Sequence, residues 1–313
     1  MSAKKNVSVY AALGANLLIA ITKFIAGGVT RSSAMISEGI HSTVDCTNQL
    51  LLLHGLKQSK RPADKKKPFG YGKELYFWSF MVSILIFGLG GGLSIYHGIH
   101  FLQDPHELTN PKVNYIVLGL SMVFELVSCW FALKEFNAAK GELHWWKAIK
   151  TSKNPTTFLV LFEDLAALAG LIIVLVFTVL THWLQMPVLD GVASILVGLL
   201  LGGVAWFLGT ESRSLLMGEG VAPETQGEIC SLAEKDPAVI KVINVLSNYQ
   251  SPDSVILMLV VAFKDSLTTA GITTAIDRIR ETIRKRYPYA EFVVIQPQTL
   301  SKSLEKPALE SVK

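Results

Sequence analysis

Residues 38–49 read Glu38-Gly39-Ile40-His41-Ser42-Thr43-Val44-Asp45-Cys46-Thr47-Asn48-Gln49 and lie within a segment that is otherwise apolar. Four of the polar residues are three, four and three positions apart, the spacing of one helical face: Glu38, His41, Asp45 and Asn48. Such groups are costly in lipid unless they face a protein interior, a water-filled path or a cation. Because His41 and Asp45 can bind one divalent ion from the same face, the segment predicts a membrane helix with a functional polar stripe.

The composition places most of the chain in a lipid bilayer. Half of the residues are hydrophobic and 17% are charged, and the mean hydropathy is +0.40. Apolar runs of about 20 residues or more predict six spans, at residues 7–29, 35–57, 74–102, 113–136, 156–183 and 187–209. The first run is too long for a signal peptide and lacks a cleavage-site pattern, so we expect no removable leader.

Lysine and arginine are concentrated in two of the loops between these spans. Residues 57–73 contain seven basic side chains and residues 134–153 contain five, whereas the loops on the other side contain only Arg31 and Lys112. The positive-inside rule then predicts that both basic loops and both termini are cytoplasmic, in a multi-pass protein of the cell (inner) membrane. We therefore interpret the net charge of +4 as a topology signal and expect no nucleic-acid partner.

The last third of the chain has the pattern of a soluble α+β domain. A helical segment at 222–235 is followed by two strand-like runs, a second amphipathic helix and a third run at 291–296. The sequence thus predicts three regions, namely a six-helix transmembrane domain at 1–212, a cytosolic domain at 213–298 and a disordered tail at 299–313.

Two acids on different spans are predicted to lie at matching depth. Counted at 1.5 Å per residue from opposite ends of their spans, Asp45 lies about 15 Å deep and Asp164 about 12 Å deep. Both then fall near the middle of a hydrocarbon core of about 30 Å. A single ion shared by the second and fifth spans is the hypothesis that follows.

These features resemble the cation diffusion facilitator family, in particular its zinc transporter 9-like branch. The resemblance covers about residues 7–298 and rests on four segments: Ser33-Ala34-Met35-Ile36-Ser37-Glu38-Gly39-Ile40-His41-Ser42-Thr43-Val44-Asp45, Lys67-Pro68-Phe69-Gly70-Tyr71-Gly72-Lys73-Glu74, Leu161-Phe162-Glu163-Asp164-Leu165-Ala166-Ala167 and Ser214-Leu215-Leu216-Met217-Gly218-Glu219. It implies proton-coupled export of a divalent metal, usually Zn²⁺, from the cytoplasm by a homodimer with ferredoxin-like cytosolic domains. The metal is a substrate, and no permanently bound cofactor is implied.

The metal-ligand set implied by the resemblance is incomplete in this chain. Family members with a full site use two residues four apart on each of two spans, and here the pairs are His41 with Asp45 and Val160 with Asp164. Because Val160 is apolar, it cannot be the fourth metal ligand. The candidates for that position are Glu163, Asn48 or a water molecule. Three protein ligands suffice for Zn²⁺, while an oxygen-rich site also admits Fe²⁺, Mn²⁺ or Co²⁺.

Positions outside the two spans also depart from the family. In the loop after the second span, Lys67 and Tyr71 replace the histidines of many relatives, which leaves Asp64 alone and predicts no peripheral metal site. The cytosolic domain contains no histidine, and the positions expected to hold its metal ligands are Asn244, Leu259 and Ile295 or nearby. We therefore expect a dimerisation domain without a zinc cluster.

Other polar and small residues of the spans have simpler interpretations. Glu125 is predicted either to pair with Lys23 or to relay protons. The glycines of 88–92 are predicted to pack helices through Gly88 and Gly92, and Gly198 and Gly202 repeat this spacing. The three cysteines lack CxxC spacing and are expected to be small buried hydrophobes: Cys46, Cys129 and Cys230. Three histidines form a cluster near the outer face, namely His97, His100 and His106. We favour the interpretation that they are interfacial or solvated side chains over the alternative that they receive released metal.

Two other classes of function are compatible with the sequence. The first is a non-transporting membrane scaffold, which predicts that Lys23 and hydroxyl groups alone satisfy the intramembrane acids. The second is a membrane enzyme, for which the chain lacks a paired nucleophile and base and a glycine loop in a strand–helix context. We expect no enzyme, and an exporter that works by alternating access with protons as counter-ion.

Overall fold

A computed structural model describes residues 2–105, 111–141, 144–145, 148, 153 and 155–299 of the chain. The described residues divide into two compact units, one formed by 2–58 with 74–213 and the other by 59–73 with 214–299. The positions of the predicted tail from 300 onward, and His106, lie outside the described residues.

The first unit consists of long helices. Six helices of 27 to 30 residues follow one another, at Ser2–Thr30 (α1), Ser33–Ser59 (α2), Glu74–Gln103 (α3), Pro111–Lys140 (α4), Pro155–Leu184 (α5) and Val188–Met217 (α6). Four of them contain segments that are long and apolar enough to cross a membrane, in α3, α4, α5 and α6. In α1 the apolar stretch Asn16–Thr30 is shorter, and α2 contains the polar stripe. Each of the six predicted spans falls on one of these helices, and apart from residue 187 it lies wholly within that helix. This agreement confirms a polytopic helical membrane protein.

The start of α2 is fixed by hydrogen bonds to a residue of α6. Ser32 precedes the helix, and its hydroxyl oxygen accepts a hydrogen bond from the Met35 N–H at 3.1 Å. The same hydroxyl donates to Asp190 at 2.7 Å, and the second oxygen of Asp190 accepts from the Ala34 N–H at 3.0 Å. The carboxylate thus satisfies first-turn N–H groups and lies at the positive end of the α2 dipole.

Glycines bring α3 and α6 into close contact. The predicted Gly198 of α6 takes part, whereas the predicted Gly88 of α3 does not. A Cβ added to Gly98 would lie 2.7 Å from the Gly191 carbonyl oxygen, and one added to Gly91 would lie 3.0 Å from that of Gly198. A Cβ on Gly88 would meet nothing within 4 Å. The prediction of close helix packing is therefore confirmed for Gly198 of α6, but on α3 the contact is made by Gly91 and Gly98. The reason is that residues 86–92 form a π-helical turn, which changes the faces on which its glycines lie.

The second unit has the predicted α-β-β-α-β order. Its elements are α7 (Pro223–Glu234), β1 (Val239–Ser251), β2 (Ser254–Phe263), α8 (Thr269–Arg286) and β3 (Phe292–Pro297). β1 pairs antiparallel with β2, and β2 pairs parallel with β3. Alternate residues of β2 are fully buried, because one face of the sheet is covered by helices: Val255, Leu257, Leu259 and Val261. The fold is a ferredoxin-like α+β domain, as predicted.

The loop between α2 and α3 belongs to this second unit. In residues 59–73, Asp64 accepts hydrogen bonds from two backbone N–H groups and from the Tyr71 hydroxyl at 2.7 Å. The bond from Tyr71 holds the pKa of the Asp64 carboxyl below its usual value. The Lys67 ammonium lies 4.4 Å from the centre of the Tyr71 ring, a cation–π contact. The residues that replace the family's histidines therefore stabilise the loop itself.

Candidate metal-binding site

The polar stripe of α2 lies inside the bundle. Four side chains are almost wholly buried, with exposed fractions of 0, 2, 8 and 0% for Glu38, His41, Asp45 and Asn48. Their burial follows from the three- and four-residue spacing, which puts all of them on one side of the helix. The neighbouring Thr43 and Thr47 on the other side are exposed.

His41 and Asp45 are adjacent and have unused ligand atoms. His41 Nδ1 lies 3.5 Å from Asp45 Oδ1, which is too long for a hydrogen bond. Neither ring nitrogen of His41 has a hydrogen-bond partner, and the same holds for Asp45 Oδ1. Buried polar atoms without a partner are rare and call for an explanation, such as an ion that is bound in another state.

Glu163 and Asp164 of α5 face different helices. The Asn48 amide donates a hydrogen bond to Glu163 at 2.7 Å, and the carboxyl groups of Glu163 and Asp45 are close enough to interact. Asp164 accepts a hydrogen bond from Ser128 of α4 at 2.9 Å. The divergence follows from the 100° between successive residues of a helix, and it connects α5 to both α2 and α4.

A small cavity lies between these helices. Its lining includes Asp45, Glu125, Glu163 and Asp164, together with Asn16, Gln49 and Ser128. Its volume of about 20 Å³, measured for a water-sized sphere, suffices for one water molecule or one ion. Four carboxyl groups from three helices therefore surround a space of the right size for a single cation. Glu125 was not among the predicted ligands. Its position on the same helical face as Ser121 and Ser128 is the sequence feature that could have identified it as part of a polar site.

The described residues do not form a finished coordination shell. Within the described part of the chain, no three His, Cys, Asp or Glu side chains are arranged to hold one ion directly. Asp45 and Asp164 line the cavity, whereas His41 does not. Val160 packs against the hydrophobic core. The ligand set His41, Asp45 and Asp164, with Glu163 or Asn48 as fourth member, stays a prediction.

Lys23 pairs with a residue other than the one predicted. Its ammonium donates to Glu38 at 3.0 Å and to Ser42 at 2.8 Å, and both members of the ion pair are fully buried. The predicted structural pair of Lys23 with Glu125 is therefore wrong. The rotation of α1 turns the lysine toward α2, whereas Glu125 faces the cavity.

The remaining candidates lie apart from this cavity. His97 and His100 line a separate cavity of about 280 Å³ that also contains Arg31 and Asp104. The guanidinium of Arg31 disfavours a cation there. Cys46 and Cys129 are buried, and Cys230 is partly exposed; all three are free thiols.

Comparisons with known proteins match most of the chain. The family described as the cation efflux transmembrane domain matches residues 9–217. The human "Proton-coupled zinc antiporter SLC30A9, mitochondrial" is 35% identical over 233 residues, which cover 74% of this chain and 41% of the relative. "Metal tolerance protein C4" of Arabidopsis thaliana is 32% identical over 249 residues, covering 79% of this chain and 54% of that protein. The chain thus spans about half or less of the length of these relatives.

One solved structure is similar to a small part of the chain. A structure of the MamM C-terminal domain matches 25% of this chain and 98% of its own length, with 14% identity and a TM-score of 0.24.

Proposed function

Because the chain belongs to the cation efflux family, we propose that it exports a divalent metal cation, with Zn²⁺ as the preferred substrate, in exchange for protons. The family consists of membrane transporters, so the chain is not an enzyme. The proposal is carried by one observation, the water-sized cavity lined by Asp45, Glu125, Glu163 and Asp164 inside the helical bundle. Carboxylates buried among membrane helices mark ion pathways and proton relays.

The chemistry of the site supports metal and proton exchange. A carboxylate or imidazole must lose its proton before it binds a metal, so binding of the cation releases protons. His41 and Asp45 have ligand atoms without a hydrogen-bond partner, and they are available to an ion that enters from the cavity. Alternating access then exposes the loaded site to the other side, where protons displace the metal.

The proposed metal is inferred from the chemistry of the predicted ligands. An imidazole with carboxylates fits Zn²⁺, and three protein ligands suffice when a water completes the shell. Val160 in place of a fourth ligand, together with Glu125 and Glu163 nearby, makes the site richer in oxygen. Fe²⁺, Mn²⁺ and Co²⁺ are therefore the alternative substrates.

A scaffold without transport fits the structure less well. It requires that Lys23 and hydroxyl groups satisfy the buried acids, yet Glu38 Oε1 and Asp45 Oδ1 have no hydrogen-bond partner. Such unsatisfied acceptors cost about 1–3 kcal/mol each, and a purely structural bundle gains nothing from them.

The basic loops give the proposed orientation. Residues 57–73 and 134–153, with both termini, would face the cytoplasm of a cell (inner) membrane. In this arrangement the soluble unit is cytosolic, and it would support a homodimer. The domain limits 1–212, 213–298 and 299–313 are part of the same proposal.

Flux measurements in proteoliposomes test the proposal. Purified full-length protein would be reconstituted, and uptake of Zn²⁺, Fe²⁺, Mn²⁺ and Co²⁺ would be followed with and without a pH gradient. We expect uptake of Zn²⁺ that is fastest when protons are more concentrated on the side to which the metal moves. Absence of uptake for all four cations would contradict transport, and uptake that ignores the gradient would contradict proton coupling.

A further inference from the structure

The ion pair of Lys23 and Glu38 lies at the centre of an unusual group of side chains. The Lys23 ammonium donates to Glu38 Oε2 at 3.0 Å and to Ser42 Oγ at 2.8 Å. Both charged side chains have an exposed fraction of 0%. A buried pair of this kind is weak evidence for stability, because apolar residues of similar volume often stabilise a protein equally well. Its presence therefore suggests a use other than holding α1 against α2.

Atoms suited to a metal lie beside the pair and have no partner. Glu38 Oε1 and both ring nitrogens of His41 are buried without a hydrogen bond. Glu38 and His41 are three residues apart on α2, which puts their Cβ atoms about 5–6 Å apart on one face. The Glu38 Oε1 atom faces Gly170 of α5, where an added Cβ would lie only 3.0 Å from it. A carboxylate, an imidazole and the Ser42 hydroxyl oxygen together are a ligand set for a small divalent cation.

We propose that Glu38, His41 and Ser42 form a second cation station, which Lys23 occupies when no metal ion is there. The inference rests on the transport function proposed above and adds a second binding position for the cation along its path. Going from Asp45 to Glu38 moves seven residues toward the start of α2, or about 10 Å. The station is therefore distinct from the cavity lined by Asp45 and Asp164.

The ammonium of Lys23 has the properties of a stand-in for a metal ion. It is a compact point charge on a flexible stem, and it already contacts one carboxylate oxygen and one hydroxyl oxygen of the station. A metal that arrives from the cavity displaces it from Glu38, and its return to Glu38 promotes release of the metal. His41 Nδ1 lies 3.5 Å from Asp45 Oδ1, so His41 connects the station with the acids of the cavity and passes the ion between them.

An exchange of the two charges tests the station directly. The double variant Lys23→Glu with Glu38→Lys keeps a buried ion pair but moves the carboxylate from α2 to α1, away from His41. We expect it to fold, as judged by gel filtration and thermal unfolding of the full-length protein, and to transport Zn²⁺ more slowly by on the order of 10-fold. Wild-type flux in the folded double variant would overturn the proposal, since a pair with only a structural role tolerates the exchange.

A binding experiment separates this inference from the proposed function. In the Asp164→Asn background, which disables the cavity, Lys23→Met should create binding of one Zn²⁺ per protomer by titration calorimetry, and the further change Glu38→Gln should remove it. Equal binding with and without Glu38 would count against the station. If the wild-type protein transports no cation, the proposed function fails; if it transports and the exchanged pair does so equally well, the station alone fails.

Discussion

Asn48 of α2 donates a hydrogen bond of 2.7 Å to Glu163 of α5, and both side chains are buried. This bond connects the two helices that carry the candidate ligands, at the depth of the cavity. It also orients one carboxylate oxygen of Glu163 toward α2. Changes to this pair and to the acids around it give sharp tests of the site.

Removal of either cavity acid should abolish transport. Asp45→Ala and Asp164→Ala each remove a carboxylate from the cavity, where one ion bridges α2 and α5 in the proposed mechanism. We expect no metal uptake into inverted vesicles above background, with normal expression and an unchanged gel-filtration profile. Thr47→Ala, at an exposed position of the same helix, is the matched control and should behave as wild type. Normal uptake in either aspartate variant would exclude a shared site.

Glu163→Gln should weaken metal binding without unfolding the protein. The amide oxygen of glutamine can still accept the hydrogen bond from Asn48, so we expect a loss of stability below about 1 kcal/mol. The loss of a negative ligand should lower Zn²⁺ affinity on the order of 10-fold, comparable to His41→Ala. Titration calorimetry on both variants makes the comparison. Unchanged affinity with reduced stability would show instead that Glu163 only packs the helices.

Two glycines of α3 should differ in their tolerance of a methyl group. Gly98→Ala places a Cβ 2.7 Å from a backbone carbonyl oxygen of α6, which cannot move without shifting the helix. Overpacking of this kind costs about 1–3 kcal/mol. Gly88→Ala meets nothing within 4 Å and serves as the control. Thermal unfolding in detergent should show a lower melting temperature for Gly98→Ala only, and equal melting of the two variants would contradict the contact.

The soluble domain should not need zinc. The 213–298 fragment contains no histidine and has Cys230 as its single cysteine, so the ligands that Zn²⁺ favours are nearly missing. We expect the fragment to fold, to dimerise and to melt at the same temperature with and without excess Zn²⁺. Stoichiometric binding together with a large rise in melting temperature would reveal a metal sensor in this domain.

The ion pair between α8 and the segment after α7 should make the free energy of unfolding of the soluble domain depend on pH under acidic conditions. Arg278 donates two hydrogen bonds of 2.9 Å to Asp236. This hydrogen bonding holds the pKa of Asp236 below its usual 3.8. A lowered pKa means that the pair stabilises the fold above that usual value and that the contribution is lost as the pH falls through the lowered pKa. Arg278→Ala should therefore lower the free energy of unfolding slightly at pH 7, as is usual for solvent-exposed ion pairs.

Urea unfolding of the 213–298 fragment at several pH values measures this effect. The difference between wild type and Arg278→Ala should shrink toward zero at a pH well below 3.8. Lys285→Ala, which removes a more exposed pair with Glu281, is the control and should change stability less. A difference that is constant from pH 7 into acid would mean that the arginine acts by packing alone.

Local patterns of the sequence were sufficient for the helices and for the polar stripe. The spacing from Glu38 to Asn48 fixes one face of α2 whatever surrounds it, and burial of that face confirms the prediction. In the same way, the apolar face of α8 was visible from its spacing, and Ile279 and Ile283 lie in the core. These features depend on the geometry of a single element.

Relationships between elements could not be derived in this way. The partner of Lys23 depends on how α1 is rotated against α2, and several acids were equally plausible partners from the sequence. Likewise, no spacing rule places Phe69 of the 59–73 loop edge-on against Phe292 of β3, with ring centres 5.2 Å apart. The metal-ligand set has the same status, because it depends on which side chains α2 and α5 turn toward each other.

The contact of Asp190 with the first turn of α2 gives this helix a pivot. The end near Ala34 is held by the carboxylate, so a tilt of α2 is a rotation about that end. Displacement then grows along the helix: a tilt of about 10° moves Asp45, about 16 Å away, by about 3 Å. Glu38, which is closer to the pivot, moves only about a third as far. A small change in angle therefore opens the distance between α2 and α5 at Asn48 and Glu163 while the pivot end of α2 keeps its place.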